Sequence, residues 1–273
     1  MVNIRIPRTA FLLVLCFAPL SAQQGIYPDT AYIAPDTLRT IPNEAFAEGE
    51  RLVFDVGYSF IVAGEAVFSI PRMDTIFGRQ CYEILFTVTT TPTFSFFFKV
   101  DDRYESDLDA KGIFPWRFSQ RVREGKYSRD FTADLDQIHG IAKTQERIHV
   151  IPPYVHDVVS AFYYTRTLDL RSMRPGQRTL LQNFYKDTTY SLAVKFLGYQ
   201  RIRVDAGTFD CVLVEPLVKE GGLFKSEGRV LMWLTNDEKK IPVKVSTQVI
   251  IGSIDAELRE YSGLNSPIKA RVK

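Results

Sequence analysis

The chain has 273 residues, 45% hydrophobic and 24% charged, which is long enough for one large or two small globular domains with a sizeable core. Its formal net charge of +2 gives no electrostatic case for a nucleic acid or other polyanionic partner. Twenty Phe and 13 Tyr suit strands and apolar pockets.

The first residues read as an export signal. Arg5 and Arg8 precede an apolar run from Ala10 to Leu20, and Ser21-Ala22 offers small residues for cleavage, so residues 1–22 are assigned to a signal peptide. The run is too short to span a bilayer. Cys16 invites a lipid-anchor reading, but Leu15 stands where a lipidation signal wants a small residue. No later stretch is long and apolar enough to cross a membrane as a helix. The expected destination is the periplasm or cell envelope of a bacterium. Residues 23–48 carry Pro28-Asp29-Thr30 and Pro35-Asp36-Thr37 without a sustained period, and a flexible arm is expected there.

From Gly49 the pattern turns to strands. Leu52, Phe54, Val56, Tyr58 and Phe60 alternate with Val53, Asp55, Gly57 and Ser59. Ala63-Gly64 marks a turn; Ala66, Phe68 and Ile70 follow; Phe77-Gly78 turns again before Tyr82, Ile84, Phe86 and Val88. This is an antiparallel meander. Further strand-like runs lie near 99–108, 115–123, 127–134 and 141–151. Pro152 and Pro153 end the last of them. A helix is then expected over 155–170, with Asp157 at its start, Arg166 and Arg171 near its end and Pro175-Gly176 as the stop. Val158, Ala161, Phe162 and Thr165 form one apolar stripe that should lie on a sheet. Asp157, Tyr163 and Arg166 read as capping and surface pairing.

After the helix, strand-like runs recur near 178–185, 188–197, 209–218, 226–235, 242–250 and 254–261, followed by a basic tail over 263–273. Here the chain repeats itself. Gly49-Glu50-Arg51 is echoed by Gly176-Gln177-Arg178, Pro115-Trp116-Arg117-Phe118-Ser119 by Pro242-Val243-Lys244-Val245-Ser246, and Val122-Arg123-Glu124-Gly125 by Val249-Ile250-Ile251-Gly252, always 127 residues on. The expected fold is mainly β: a large curved antiparallel sheet or half-open barrel of about twelve strands. It is a single domain over 49–262, built from duplicated halves at 49–151 and 176–262 and joined by the one α-helix.

Thr87 to Phe98 is the most unusual segment. Pro92 breaks the ladder, so Phe94, Phe96, Phe97 and Phe98 are candidate ligand or partner contacts on a loop, or core residues of a bulged strand; Tyr163 is a further candidate contact. Asp101, Asp102, Arg103, Tyr104 and Glu105 bring acids and a base together, and Glu227 with Arg229 repeats part of the pattern. Asp101, Arg103, Glu227 and Arg229 are accordingly candidate structural ion pairs, with acid–base chemistry as the sharper alternative. Once Cys16 is removed, Cys81 and Cys211 remain; they are either buried free thiols or a disulfide. His139, His149 and His156 lack any metal-ligand spacing, and neither G-x-S-x-G nor a phosphate-cradling loop occurs, so no catalytic residue, metal or cofactor is assigned.

The chain resembles domain-of-unknown-function family 3108, exported proteins of the bacterial envelope. The resemblance runs through Gly49-Glu50-Arg51-Leu52, Ala63-Gly64-Glu65-Ala66, Lys99 to Ser106, Arg123-Glu124-Gly125, Asp157 to Arg166, Ala206-Gly207-Thr208-Phe209, Trp233 to Asp237 and Ile241-Pro242-Val243. It implies an envelope-associated β-rich domain and brings no assigned reaction. Two functional readings follow: a non-enzymatic protein holding a lipid or other apolar ligand in its curved sheet, or a structural or assembly module that meets an envelope protein partner. An envelope hydrolase using the Asp101–Glu105 cluster is a third. A dry cavity would favour the first, a filled core with exposed phenylalanines the second, and convergent carboxylates in a polar cleft the third.

Overall fold

Alternating apolar residues need a partner on both edges and on one face, and the chain satisfies this by running nearly all its strands as consecutive antiparallel neighbours. The computed structural model describes residues 38–58, 61–218, 228–249 and 252–273; the leader, most of the amino-terminal arm and Glu227 lie outside the described residues. The first half contributes β1 (Arg51–Tyr58), β2 (Ile61–Ile76), β3 (Arg79–Thr90), a one-turn helix α1 (Pro92–Ser95), β4 (Asp101–Asp109), β5 (Pro115–Glu124), β6 (Tyr127–Asp136), β7 (Ile141–Thr144) and β8 (Ile148–Val150). Helix α2 (Val158–Thr167) leads to β9 (Arg178–Tyr185), β10 (Thr188–Val204), β11 (Gly207–Val218), β12 (Val230–Thr235), β13 (Pro242–Gln248), β14 (Ser253–Ser262) and β15 (Arg271–Val272). The sheet runs β8-β7-β6-β5-β4-β3-β2-β1-β14-β13-β12-β11-β10-β9, with β15 added to β11.

Two meanders, β1–β6 and β9–β14, match strand for strand. β1 and β9 have 8 residues each, β2 and β10 have 16 and 17, β3 and β11 have 12 each, and β6 and β14 have 10 each. Their side chains repeat as well. Asp109 takes the backbone N–H groups of Lys111 and Gly112 at the β4–β5 turn, and Asp237 takes those of Lys239 and Lys240 at the β12–β13 turn. The expected twelve strands are these two meanders; β7, β8 and β15 are additions to them.

The halves join through the β1–β14 ladder. By the repeat, its counterpart would join β6 to β9, and that ladder is missing among the described residues, so the curled sheet stays open along this seam. Side chains and one short parallel bridge span it. His156 N–H donates to Gln182 (2.8 Å), Phe184 N–H donates to His156 (2.7 Å), and the ring of Tyr185 meets Phe131 at 6.2 Å.

Helix α2 starts in a capping box: the Asp157 carboxylate accepts from Val159 N–H (2.7 Å) and Ser160 N–H (2.8 Å), while Ser160 Oγ accepts from Asp157 N–H (2.9 Å). It is shorter than the expected 155–170 because residues 155–157 are held extended by the bridge to β9. The expected single apolar stripe is also incomplete. Val159, Ser160, Ala161, Tyr163, Thr165 and Arg166 are buried, whereas Val158 and Phe162 are half-buried. The helix occupies the hollow between the halves instead of lying on one flat sheet. Phe162 stacks on Phe68 of β2 at 4.9 Å, and Phe68 stacks on Phe86 at 4.0 Å, while Ala161 packs among Leu181, Val194, Phe196 and Val212 of the second half. Burying each such ring stabilises the fold by about 2–3 kcal/mol.

Residues 38–48 and 263–273 reinforce one end of the hollow, the closed end. Residues 38–48, the described part of the expected arm, pack tightly: Ala45 and Phe46 are buried, and Phe46 lies edge-on to Tyr82 (5.3 Å) and Tyr163 (4.8 Å). The basic tail is likewise ordered, with Ile268 and Ala270 buried and β15 paired to β11. Apolar positions within polar stretches make both segments part of the core.

Candidate functional site

Two clusters hold the unusual side chains, one at each end of the strands. At the closed end, Arg166 projects from the last turn of α2 and is fully buried. Its guanidinium donates to both carboxylate oxygens of Glu50 at 2.7 Å, to the carbonyl of Ala45 (3.0 Å) and to that of Lys239 (3.1 Å). Tyr163 donates to Glu50 as well (3.4 Å). Burial opposes the charge of Arg166, but the adjacent Glu50 outweighs it and holds the guanidinium protonated, while burial drives the Tyr163 hydroxyl well above its usual range. Every polar atom here meets a partner within the fold, so Arg166 and Tyr163 are neither surface-paired nor available to a ligand, contrary to the sequence expectation. The reason is that α2 sits inside the hollow, with the face that carries Tyr163 and Arg166 turned into the core.

Nearby, Ser106 donates to Asp157 at 2.7 Å, and burial pushes this carboxyl up to about 6 against the N–H and hydroxyl donors around it. His156 is buried, and burial with Arg39 beside it takes the imidazole down to about 3. Its Nε2 lies 3.4 Å from the Arg39 guanidinium and its Nδ1 has no partner. Ser106 and His156 therefore do not form a nucleophile–base pair: the serine is bonded to the helix cap, and the histidine faces an arginine. A polar cleft of about 260 Å³ opens beside Lys239 and Asp237, but Asp237 is occupied by Thr235 and backbone N–H groups and Glu238 by Lys269.

The Asp101–Glu105 acids do not converge. Strand alternation sends Asp102 inward, where it accepts from Arg123 N–H (2.8 Å), and Asp101 outward to Arg121 (3.3 Å) on the neighbouring strand. Arg103 pairs with Glu105, and Arg229 with Glu215 at 2.6 Å. Asp101 and Arg103 thus take part in ion pairs, though not with each other; Glu227 lies outside the described residues. Cys81 and Cys211 are not joined. Each is a buried free thiol that donates to the carbonyl two residues back, of Arg79 and Phe209, and burial pushes both up to about 12. They lie on β3 and β11, corresponding strands of the two halves, with β2, β1, β14, β13 and β12 between them in the sheet.

At the opposite end, α1 replaces a plain β3–β4 turn. Pro92 ends the ladder and opens a single turn, which throws Phe96 and Phe97 outward at 87% and 78% exposure, edge-on to each other at 5.4 Å. Phe94 and Phe98 are half-buried, and the ring of Phe98 lies over Gly125. The tip is tied to its neighbours by backbone: Thr91 N–H donates to Ala63 (2.9 Å) next to the β1–β2 turn, and Gly125 N–H donates to Lys99 (2.8 Å) at the β5–β6 turn. Tyr58, Ile61, Val62 and Tyr127, on those neighbouring hairpins, are also exposed.

What the sequence reading missed is the pairing of Glu50 with Arg166. A signal for it exists: within the repeat, Gly49-Glu50-Arg51 departs from Gly176-Gln177-Arg178 at one position, and the acid marks the half that must neutralise a buried cation. Asp109 and Asp237 were legible in the same way, as Asp-x-Lys-x-Ile in both halves.

Among solved structures, the fold is similar to a β-barrel-like protein of domain of unknown function DUF1849 from Brucella abortus, with 12% identity, a TM-score of 0.51 and coverage of 83% of this chain and 99% of that one. A protein of Bacteroides fragilis NCTC 9343 described as having a YmcC-like fold matches at 13% identity, covering 83% of this chain and all of that one, with a TM-score of 0.32. No match was found among curated proteins. Residues 53–259 match the DUF3108 family model throughout, and the chain belongs to that family of proteins of unknown function.

Proposed function

We propose that this protein is a non-enzymatic docking module of the bacterial envelope, which engages its target through the aromatic end of the sheet. The observation that carries this is the contrast between a filled hollow and a bare tip. Phe54, Phe68, Phe86, Tyr104, Phe118 and α2 fill the interior, whereas Phe96 and Phe97 stand in solvent at a cost no folding requirement explains. Carriage of a lipid inside the sheet is the less supported reading, since the space such a ligand needs is taken by side chains. The export signal read over residues 1–22 and the family resemblance support the envelope as the place of action.

The test is fractionation of envelopes from cells producing the wild type or the Phe96→Ser/Phe97→Ser variant. The wild type is expected to stay with the envelope through a low-salt wash, and the variant to be released while keeping its melting temperature. Equal retention of the two would overturn the reading.

A further inference from the structure

We infer that the surface on which the aromatic end docks is an anionic lipid bilayer. This rests on the docking reading above and specifies its target.

The first argument is shape. Phe96 and Phe97 project from a one-turn knuckle, and Ile61, Val62 and Tyr127 are exposed on the hairpins to which it is hydrogen-bonded. A protein interface of this polarity offers a rigid pocket or groove on one side; a projecting pair of rings suits a medium that flows around them.

The second is backbone satisfaction, which entry into lipid demands of the segment itself. Within the knuckle, the N–H groups of Phe94 and Ser95 donate to Thr91, those of Phe97 and Phe98 donate to Phe94, the Ser95 hydroxyl donates to Pro92, and Val100 N–H donates to Thr90 Oγ1. Pro92 has no N–H to satisfy. The segment that carries the exposed rings can therefore enter the headgroup region with few stranded donors.

The third is charge. Lys99 and Lys126 are exposed beside the rings, and neither meets a carboxylate among the described residues. The acids closest in the ladders are engaged: Asp101 by Arg121 and Asp130 by Arg123, while Glu124 is buried. Rings flanked by free cations match apolar chains beneath negative headgroups.

The test is flotation of the protein, extracted without detergent from its own envelopes, with vesicles of phosphatidylcholine alone and of equimolar phosphatidylcholine and phosphatidylglycerol. The wild type should float with the anionic vesicles. Phe96→Ser/Phe97→Ser should weaken partitioning about 30-fold on them. Lys99→Glu/Lys126→Glu should weaken it by more than about 30-fold on anionic vesicles and leave neutral ones unchanged. Equal melting temperatures for all three proteins exclude misfolding. A wild type that floats no better than the Phe variant overturns the lipid inference. If envelope retention still requires the Phe pair in that case, the docking reading stands with a protein as target; if sedimentation shows a dimer lost in the same variant, the target is a second copy. If neither retention nor flotation responds to the Phe pair, both readings fall.

Discussion

The two ends of the strands use aromatic residues in opposite ways. At the closed end, Phe46 and Tyr163 lie against a buried Arg166–Glu50 pair with Phe162 packed on Tyr163, and residues 38–48 and the carboxy-terminal tail pack into the core. At the other end, the rings of Phe96 and Phe97 stand largely in solvent, edge-on to each other. The repeat explains why the difference is informative. Two near-equivalent halves could close into a symmetric barrel, yet only the β1–β14 seam does so; at the other seam His156 bridges to β9 and α2 sits in the hollow against the second half. The interior is filled where symmetry fails, while Phe96 and Phe97 at the far end stay exposed.

The sharpest way to break this comparison is to strip the closed end of one charge. Arg166→Ala leaves Glu50 buried without its cation, which should cost about 4 kcal/mol, read by urea unfolding; Arg166→Met with Glu50→Gln should recover much of that. If Arg166→Ala is tolerated, the closed end is not the keystone described. Phe162→Ala comes next. It empties the stack on Phe68 and should cost about 3 kcal/mol in the same assay, with the surrounding rings too interlocked to collapse fully.

These sites also show what could be read in advance. The strands were legible because period-two alternation is a local signal: Leu52, Phe54 and Val56 each face the core as their spacing requires. The exposure of Phe96 and Phe97 was half legible, since Pro92 announces a break but cannot say whether the following rings turn in or out. The Arg166–Glu50 pair was not legible from local pattern, because its partners are 116 residues apart. An arginine after an amphipathic turn reads as a surface cation unless the helix is known to lie in a hollow. The packing of residues 38–48 and 263–273 escaped for the same reason: a few apolar residues in polar stretches acquire meaning only when there is a rim to receive them.

A smaller effect separates two neighbours at the closed end. Asp157 is raised from 3.8 to about 6, so it holds a proton more tightly folded than unfolded; its contribution is present below about pH 4 and lost as pH rises through 6. His156 is lowered from 6.5 to about 3, so its contribution is present above 6.5 and lost as pH falls towards 3. Between about pH 4 and 6 the two slopes oppose each other. Asp157→Asn keeps a carbonyl oxygen for the N–H groups of Val159 and Ser160 but removes the titration. The stability of this variant relative to wild type should therefore rise by about 2 kcal/mol across that window, measured by urea unfolding at stepped pH. A difference that does not vary with pH would mean that Asp157 is already ionised in the folded protein.

The smallest expected effect is the most telling. Replacing both Phe96 and Phe97 with serine removes more apolar surface than Phe162→Ala does, yet it should change unfolding free energy by less than about 0.5 kcal/mol, because these rings are already in water when the protein is folded. A loss near that of Phe162→Ala would show that the knuckle packs against its neighbours, and the aromatic end would then be a second core. A null effect on folding would show that the rings are not part of a second core and would leave them available for the docking proposed above.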